Sequence, residues 1–169
     1  SDIDSIFSPG NGLESVLNHF NNLPDPEQSE CYISKYYSAQ KENPEEADFR
    51  TERLFYSRQN GLRIDAIRTE IDVLYPPGST ANNAKARTIL LALLLYRAAT
   101  HTNTSGVFKA YHKGFGGHGR DALSRILQPI QLTNPILIDS TQETAVFQKD
   151  ANDLVKTAAC NQVDIAYLD

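Results

Sequence analysis

Methionine is absent from all 169 residues, so the chain carries no initiator of its own, and an interior piece of a longer protein, or a longer protein with parts missing, is expected. The last residues agree: DIAYLD, from Asp164 to Asp169, reads as an apolar strand that stops on a carboxylate. Cysteine is scarce. Cys31 and Cys160 lie far apart and form no CxxC or Cys/His cluster, so neither a disulfide framework nor a zinc site is expected, and the reducing cytoplasm is the default compartment. Long apolar runs are missing too. The longest, Ile89 to Tyr96, is too short to span a bilayer, and no positively charged leader precedes an apolar N-terminal stretch. Neither a membrane nor a secretory route is expected. The histidines, His19, His101, His112 and His118, show no ligand spacing and no nearby acidic partner, so no metal is expected either. Internal repeats, low-complexity tracts and the GKS or GKT of a phosphate-binding P-loop do not occur.

Hydrophobic residues make up 40% of the chain, enough at this length for one domain with a sizeable core. The net charge of −5 is unevenly spread. Residues 1–57 hold 4 basic and 11 acidic side chains, residues 58–128 hold 10 and 4, and residues 129–169 hold 2 and 6. An acidic chain with a basic middle is compatible with a local site for a polyanion.

The centre of that basic segment is Thr102 to Arg125, TNTSGVFKAYHKGFGGHGRDALSR. Gly114, Gly116, Gly117 and Gly119 fall among Lys109, His112, Lys113, His118, Arg120 and Arg125. Glycines let a backbone approach a ligand closely and the cations supply attraction, so an anion would account for the arrangement; a mobile, solvated loop is the other reading. The run GFGGHG also resembles the GxGxxG dinucleotide fingerprint. That fingerprint is short and largely uncharged because backbone amides bind the phosphates, whereas cations crowd this loop.

In chain order, the turn at Pro9 to Gly12 precedes a helix from about Leu13 to Asn21, ended by Pro24 and Pro26. Gln28 to Glu52 is polar, with Tyr32, Tyr36 and Tyr37 and an acidic turn around Asn43 to Glu46, and reads as a surface excursion. The tyrosines suit either base stacking or packing against a neighbouring helix. After Asn60-Gly61 an amphipathic helix is expected, with Ile64, Ile67, Ile71 and Leu74 inward and Arg63, Asp65, Arg68, Glu70 and Asp72 outward. A helix from about Asn82 to His101, apolar nearly all round, is expected to be the most buried element and to deliver the basic loop. At its polar end Thr102, Asn103 and Thr104 suit contacts to phosphate or base edges, or helix capping. Asp121 is placed to cap a short helix that Pro129 closes. Strands are expected at Ile136 to Ile138, Thr144 to Phe147 and Val163 to Leu168, with a helix over Asp150 to Ala159. Strand, helix, strand is the pattern of a parallel sheet, whose ligands sit beyond the strand ends, where Asp150 and Asp169 fall. Such carboxylates hold ribose hydroxyls, an adenine amino group or a reacting amine; for Asp150, capping its own helix is the other reading.

The runs FYSRQNGLRIDAIRTEID (Phe55 to Asp72), NTSGVFKAYHKGFGGHGRDAL (Asn103 to Leu123), DANDLV and VDIAYLD resemble the adenine-specific DNA methyltransferases whose catalytic motif is Asp-Pro-Pro-Tyr. The resemblance covers residues 55–169 and is weaker before them. It implies an α/β fold with an incomplete Rossmann-like methyltransferase sheet and a helical insertion carrying the basic glycine loop. Its segments are 1–54, the end of the cofactor half plus a polar insertion; 55–128, the DNA-contacting helical part; and 129–169, the βα unit leading to the catalytic motif. The implied cofactor is S-adenosylmethionine and the implied partner double-stranded DNA, with a restriction endonuclease as a further candidate partner. Asp169 would be the first residue of the catalytic motif, with the chain ending before Pro-Pro-Tyr. Asp150, Asp4 and Asp2 would contact the cofactor, whose glycine loop should lie upstream of Ser1. Asn103, Thr104, Lys109, Lys113, Arg120 and Arg125 would face DNA. The alternative is a catalytically inactive DNA-binding remnant or accessory module.

Overall fold

A computed structural model describes residues 3–7, 12–27, 31–137, 144–157, 165 and 167. Packing divides the chain into two units, Ser1–Pro135 and Ile136–Asp169. The first unit therefore takes in the expected 1–54 and 55–128 segments together with the start of the third. Its helices are α1 (Ile3–Ile6), α2 (Gly12–Asn21), α3 (Ile33–Tyr36), α4 (Arg58–Leu74), α5 (Ala81–Thr100) and α6 (Leu123–Leu127), with a 3-10 turn at Pro44–Glu46. The second holds the single turn α7 (Ala151–Leu154).

The two long helices start and stop where local chemistry dictates. Ser57 opens α4 by accepting from Asn60 N, and Thr80 opens α5 by accepting from Asn83 N. Between them, Pro76 and Pro77 cannot continue a helix, and Gly78 turns the chain at a φ of 77°. The apolar stripe of α4 is buried as expected at Ile64, Ile67 and Ile71, while Leu74 emerges at 43% exposure. These residues join Phe20 of α2 and Leu90 and Leu94 of α5 in the main core, which also contains Ile130 and Leu132. Each large apolar side chain buried here contributes about 1.5–3 kcal/mol.

The order of burial is the reverse of the expectation. Of α5, only the stripe Ala86, Leu90, Leu94 and Ala98 is buried, and Leu95 and Tyr96 stand 68% and 64% exposed, because α5 meets α4 and α1 along one side. Helix α4 is buried continuously from Asn60 to Ile67. Its Arg63 and Asp65, expected to face outward, are 7% and 8% exposed. The guanidinium of Arg63 donates to the carbonyls of Phe20, Asn21 and Leu23 at 2.9, 3.0 and 2.6 Å, closing the carbonyl end of α2. The carboxylate of Asp65 accepts from the amides of Tyr32, Ile33 and Ser34 at 3.2, 2.9 and 2.7 Å, opening α3. A periodicity argument sends charge to solvent; here each charge is satisfied by unpaired backbone groups at a helix end.

The expected surface excursion, Gln28 to Glu52, is correspondingly more than that, since its Cys31, Ser34, Ser38 and Ala39 are buried. Helix α3 packs on α4 at Gly61, where an added Cβ would lie 2.1 Å from Ser38 Oγ and 2.9 Å from Ser34 Cα. Two asparagines place the chain after α6. Asn60 donates to Ile126 O and Gln128 O and accepts from Ile130 N, and Asn21 both donates to and accepts from Leu132. Side-chain amides thus do for residues 126–132 what a neighbouring strand would do. Helix α6 begins with Ala122 at its cap position and no side-chain cap, so Asp121 does not take the expected role.

Among the described residues no β-ladder forms; the bridges are the isolated pairs Ser38 with Tyr56 and Thr104 with Tyr111. Residues 136–137 and 144–148 carry no regular structure, and most of Val163 to Leu168 lies outside the described residues. Among the described residues, no helix is long and apolar enough to cross a membrane.

The paired roles of Arg63 and Asp65 make a stability prediction. Asp65→Ala strands three amides at the buried start of α3 and should cost about 2–3 kcal/mol in urea unfolding. A loss under 0.5 kcal/mol would show that water replaces the carboxylate there.

Candidate functional site

Asn103 follows α5 and is fully buried, with 0% exposure. Its backbone N–H donates to Phe55 O at 2.8 Å and its carbonyl accepts from His112 N at 3.0 Å. Its side-chain nitrogen donates to Leu54 O at 3.0 Å and to His112 O and Gly114 O at 3.2 and 3.4 Å; its side-chain oxygen accepts from Gly116 N at 3.1 Å. One short amide therefore fixes the glycine loop at three residues and ties it to the turn at Leu54 and Phe55 ahead of α4. The contact to phosphate or base edges expected of Asn103 is not open to its side chain, which has no exposed surface and is committed to the loop itself. Thr102, expected to make the same kind of contact, is also buried, as is His101.

Phe115 holds the loop from the other side. It is 5% exposed and packs with Ala39, Leu54 and Ile126 in a second core cluster, lined by Phe49, Tyr111 and Leu127. The loop is thus anchored, contrary to a mobile solvated segment. Two of its glycines are required by geometry: Gly116 has a φ of 88° and its missing Cβ would lie 3.0 Å from Arg120 Cα, and Gly117 has a φ of 71° beside the His112 ring. Arg120 itself adopts a φ of 56°, a left-handed conformation that costs a non-glycine residue about 1 kcal/mol.

This scaffold turns cations outward. Lys109, Lys113, His118, Arg120 and Arg125 are exposed and Thr104 is half-buried. Lys113 Nζ lies 5.4 Å from the centroid of the Phe49 ring, and Arg120 Nη2 pairs with Glu45 Oε1. Between the loop and the acidic turn runs a groove of about 530 Å³, lined by Lys113, Phe115, His118 and Arg120 on one side and by Asn43 and Glu45 on the other. Phe115, Phe49 and Glu45 were not singled out by sequence; an aromatic residue flanked by glycines was the available signal for the first.

His101 lies behind the loop, its Nδ1 2.9 Å from Arg97 O and 3.1 Å from Thr100 Oγ1. Burial pushes its pKa below the usual histidine value; the hydrogen bond to Arg97 O opposes this, and the charges of Arg97 and Arg125 reinforce it. The neutral form is the folded one. His19, expected to lack an acidic neighbour, stands 2.6 Å from Glu70. Among the described residues, no three His, Cys, Asp or Glu side chains gather as a metal site.

Of the carboxylates expected at the cofactor and the reacting amine, Asp4 and Asp150 belong to different units. Asp4 Oδ1 accepts from Leu13 N at 2.8 Å at the start of α2. Asp150, in the second unit, is exposed and accepts from Asn152 N at 2.9 Å as the cap of α7. Asp2 and Asp169 lie outside the described residues.

With this geometry in view, the chain is similar to two modification enzymes. It is 30% identical over 120 residues to the modification methylase LlaI of Lactococcus lactis subsp. lactis, covering 71% of this chain and 18% of that protein. It is 30% identical over 119 residues to the type II methyltransferase M.NlaIII of Neisseria lactamica, covering 70% of this chain and 32% of that protein. These similarities support a DNA methyltransferase family, and the chain spans about a fifth and a third of the two relatives. No family model and no solved structure matches the chain.

Two outcomes follow from the loop. Asn103→Ala leaves three carbonyls and the Gly116 amide without their partner, and should cost about 2–4 kcal/mol in denaturant unfolding and speed hydrogen exchange at Gly116; unchanged exchange there would show that the loop is held without it. His101, with a lowered folded-state pKa, favours folding above its unfolded pKa of about 6.5 and loses that contribution as pH falls through the folded value. The wild type should therefore lose more stability than His101→Gln between about pH 7 and about pH 5, and parallel losses would contradict the buried neutral ring.

Proposed function

We propose that this chain is part of an enzyme that transfers the methyl group of S-adenosylmethionine to the exocyclic amine of adenine in double-stranded DNA. The observation that carries the reading is the anchored loop: a backbone held rigid by Asn103 and Phe115 presents Lys113, His118 and Arg120 to solvent beside a groove. A cation whose position is set before binding loses little freedom when it meets a phosphate, and each phosphate contact releases condensed counterions. Lys109, Lys113, Arg120 and Arg125 hold the backbone in this proposal, and Thr104 adds a polar contact. The similarity to two modification methylases supports the same reading from the relatives' side.

The chemistry assigned to the carboxylates is consistent with their type. An aromatic amine is a poor nucleophile because its lone pair is delocalised into the ring. Asp169 would accept a hydrogen bond from that amine as it becomes pyramidal, which requires the adenine to leave the helix stack. The bound cofactor supplies the methyl group. Asp150 is an exposed carboxylate, an acceptor suited to the cofactor's adenine amino group, and Asp4 and Asp2 would take the ribose hydroxyls. The proposal includes a Rossmann-like sheet to which residues 129–169 contribute a βα unit, a cytoplasmic location and a restriction endonuclease as companion.

Salt-titrated duplex binding by the full-length protein tests the interface. Lys113→Ala/Arg120→Ala should weaken binding to all sequences alike and lower the slope of log affinity against log salt by about 0.9 per lost contact. An unaltered slope would remove the loop from the DNA interface. Loss of discrimination between duplexes, with little loss of affinity, would instead make it a base reader. For the cofactor, Asp150→Asn retains a good cap, so the melting temperature should hold while affinity for S-adenosylmethionine falls; unchanged affinity would leave Asp150 with the cap alone.

A further inference from the structure

Arg120 is engaged in the free protein by a residue 75 positions away in sequence. Glu45 stands on the Pro44–Glu46 turn, which Asn43 fixes by accepting from Glu45 N at 3.1 Å, and Glu45 Oε1 accepts from Arg120 Nη2 across the groove. Neighbouring carboxylates bond within their own segment. Glu46 accepts from Asn43 Nδ2, Asp48 from Arg50 N, and Glu52 from Gln40 N and Asp48 N. Glu45 reaches instead for the cation that the loop presents most rigidly, since the left-handed backbone at Arg120 and the close approach of Gly116 restrict where that side chain starts. Lys113 lines the same groove.

A carboxylate on a guanidinium uses the donors that a phosphate oxygen would use. The Arg120 and Glu45 side chains are 55% and 64% exposed, and an ion pair so open to water is weakly held and readily exchanged. A duplex presents a row of phosphates and can displace it; an isolated weak anion gains little by doing so. Once displaced, Glu45 faces the DNA with an unpaired negative charge, which adds repulsion to the lost contact.

We propose that Glu45 is an intramolecular competitor for the DNA backbone: its carboxylate occupies Arg120 in the free protein at the position a phosphate takes in the complex. The interface is thereby held below its full affinity, and the acidic turn sets how readily the loop releases and re-engages a duplex. This inference rests on the DNA-binding reading of the loop.

The test compares Glu45→Gln and Glu46→Gln, alone and with Arg120→Ala, in the full-length protein, using a double-stranded oligonucleotide at low salt. Glu45→Gln keeps the shape of the side chain and removes its charge, and should tighten binding about 3- to 10-fold. Glu46→Gln alters the same turn and the same net charge without touching Arg120, and should do distinctly less. In the Arg120→Ala background the advantage of Glu45→Gln over Glu46→Gln should vanish, which is the coupling the proposal requires. Equal gains from the two substitutions, or a Glu45→Gln gain that survives Arg120→Ala, would reduce the effect to general electrostatics and overturn the proposal. Wild-type binding that Arg120→Ala weakens and Glu45→Gln leaves unchanged overturns it while keeping the DNA reading. No duplex binding by any of the proteins overturns both.

Discussion

The buried amide of Asn103 is the interaction on which the loop depends. It carries two donors and one acceptor on a stem of one methylene, all of them engaged, at Leu54 ahead of α4 and at His112, Gly114 and Gly116 of the loop. An aspartate could not donate and a glutamine would need more room in a site with no exposed surface. Because Asn103 also pairs through its backbone with Phe55, just ahead of α4, the loop inherits its position from the most buried helix of the unit. Phe115 adds an apolar hold from the opposite side. Glycines usually signal freedom; here they permit a tight path that two neighbours then fix.

The same economy recurs through the first unit. Arg63 and Asp65 face the open ends of α2 and α3, and Asn21 and Asn60 bracket residues 126–132, so four polar side chains position segments that contribute little regular structure. Apolar burial holds α2, α4 and α5 together, but it is non-directional, and the register of the connecting segments comes from these polar contacts. Function follows from the division of labour. The apolar core supports a rigid base, buried polar groups aim the chain, and cations are left on its outer edge.

Helices α2, α4 and α5 were legible in their apolar content and spacing, with prolines marking the ends of the first two. Their burial was not, because periodicity assigns Arg63 and Asp65 to solvent and has no means of seeing the helix ends that receive them. It also counted α5 as enclosed from its composition, although Leu95 and Tyr96 lie off the single stripe facing α4 and α1 and stand exposed. The loop was legible in its charge and in its glycines. Its anchors were hidden: Asn103 looked like a surface donor because it sits among small polar residues at a helix end, and Glu45 came from a distant segment whose approach no local pattern announces. The sheet expected near the end of the chain was drawn from alternation in 136–169, where the described residues form no ladder. The relation to methyltransferases came from matching runs of residues, and similarity to two modification methylases supports it.

Whether the basic loop serves methyl transfer to adenine, as proposed, is open to direct measurement: incubate the full-length protein with double-stranded DNA and S-adenosylmethionine labelled in its methyl group, digest the DNA to nucleosides and separate them. Label is expected in N6-methyladenosine of the deoxy series, abolished when Lys113 and Arg120 are both replaced by alanine at a salt concentration where duplex binding is lost. Label on cytosine, or no label with a protein that binds both duplex and cofactor, would contradict the proposal.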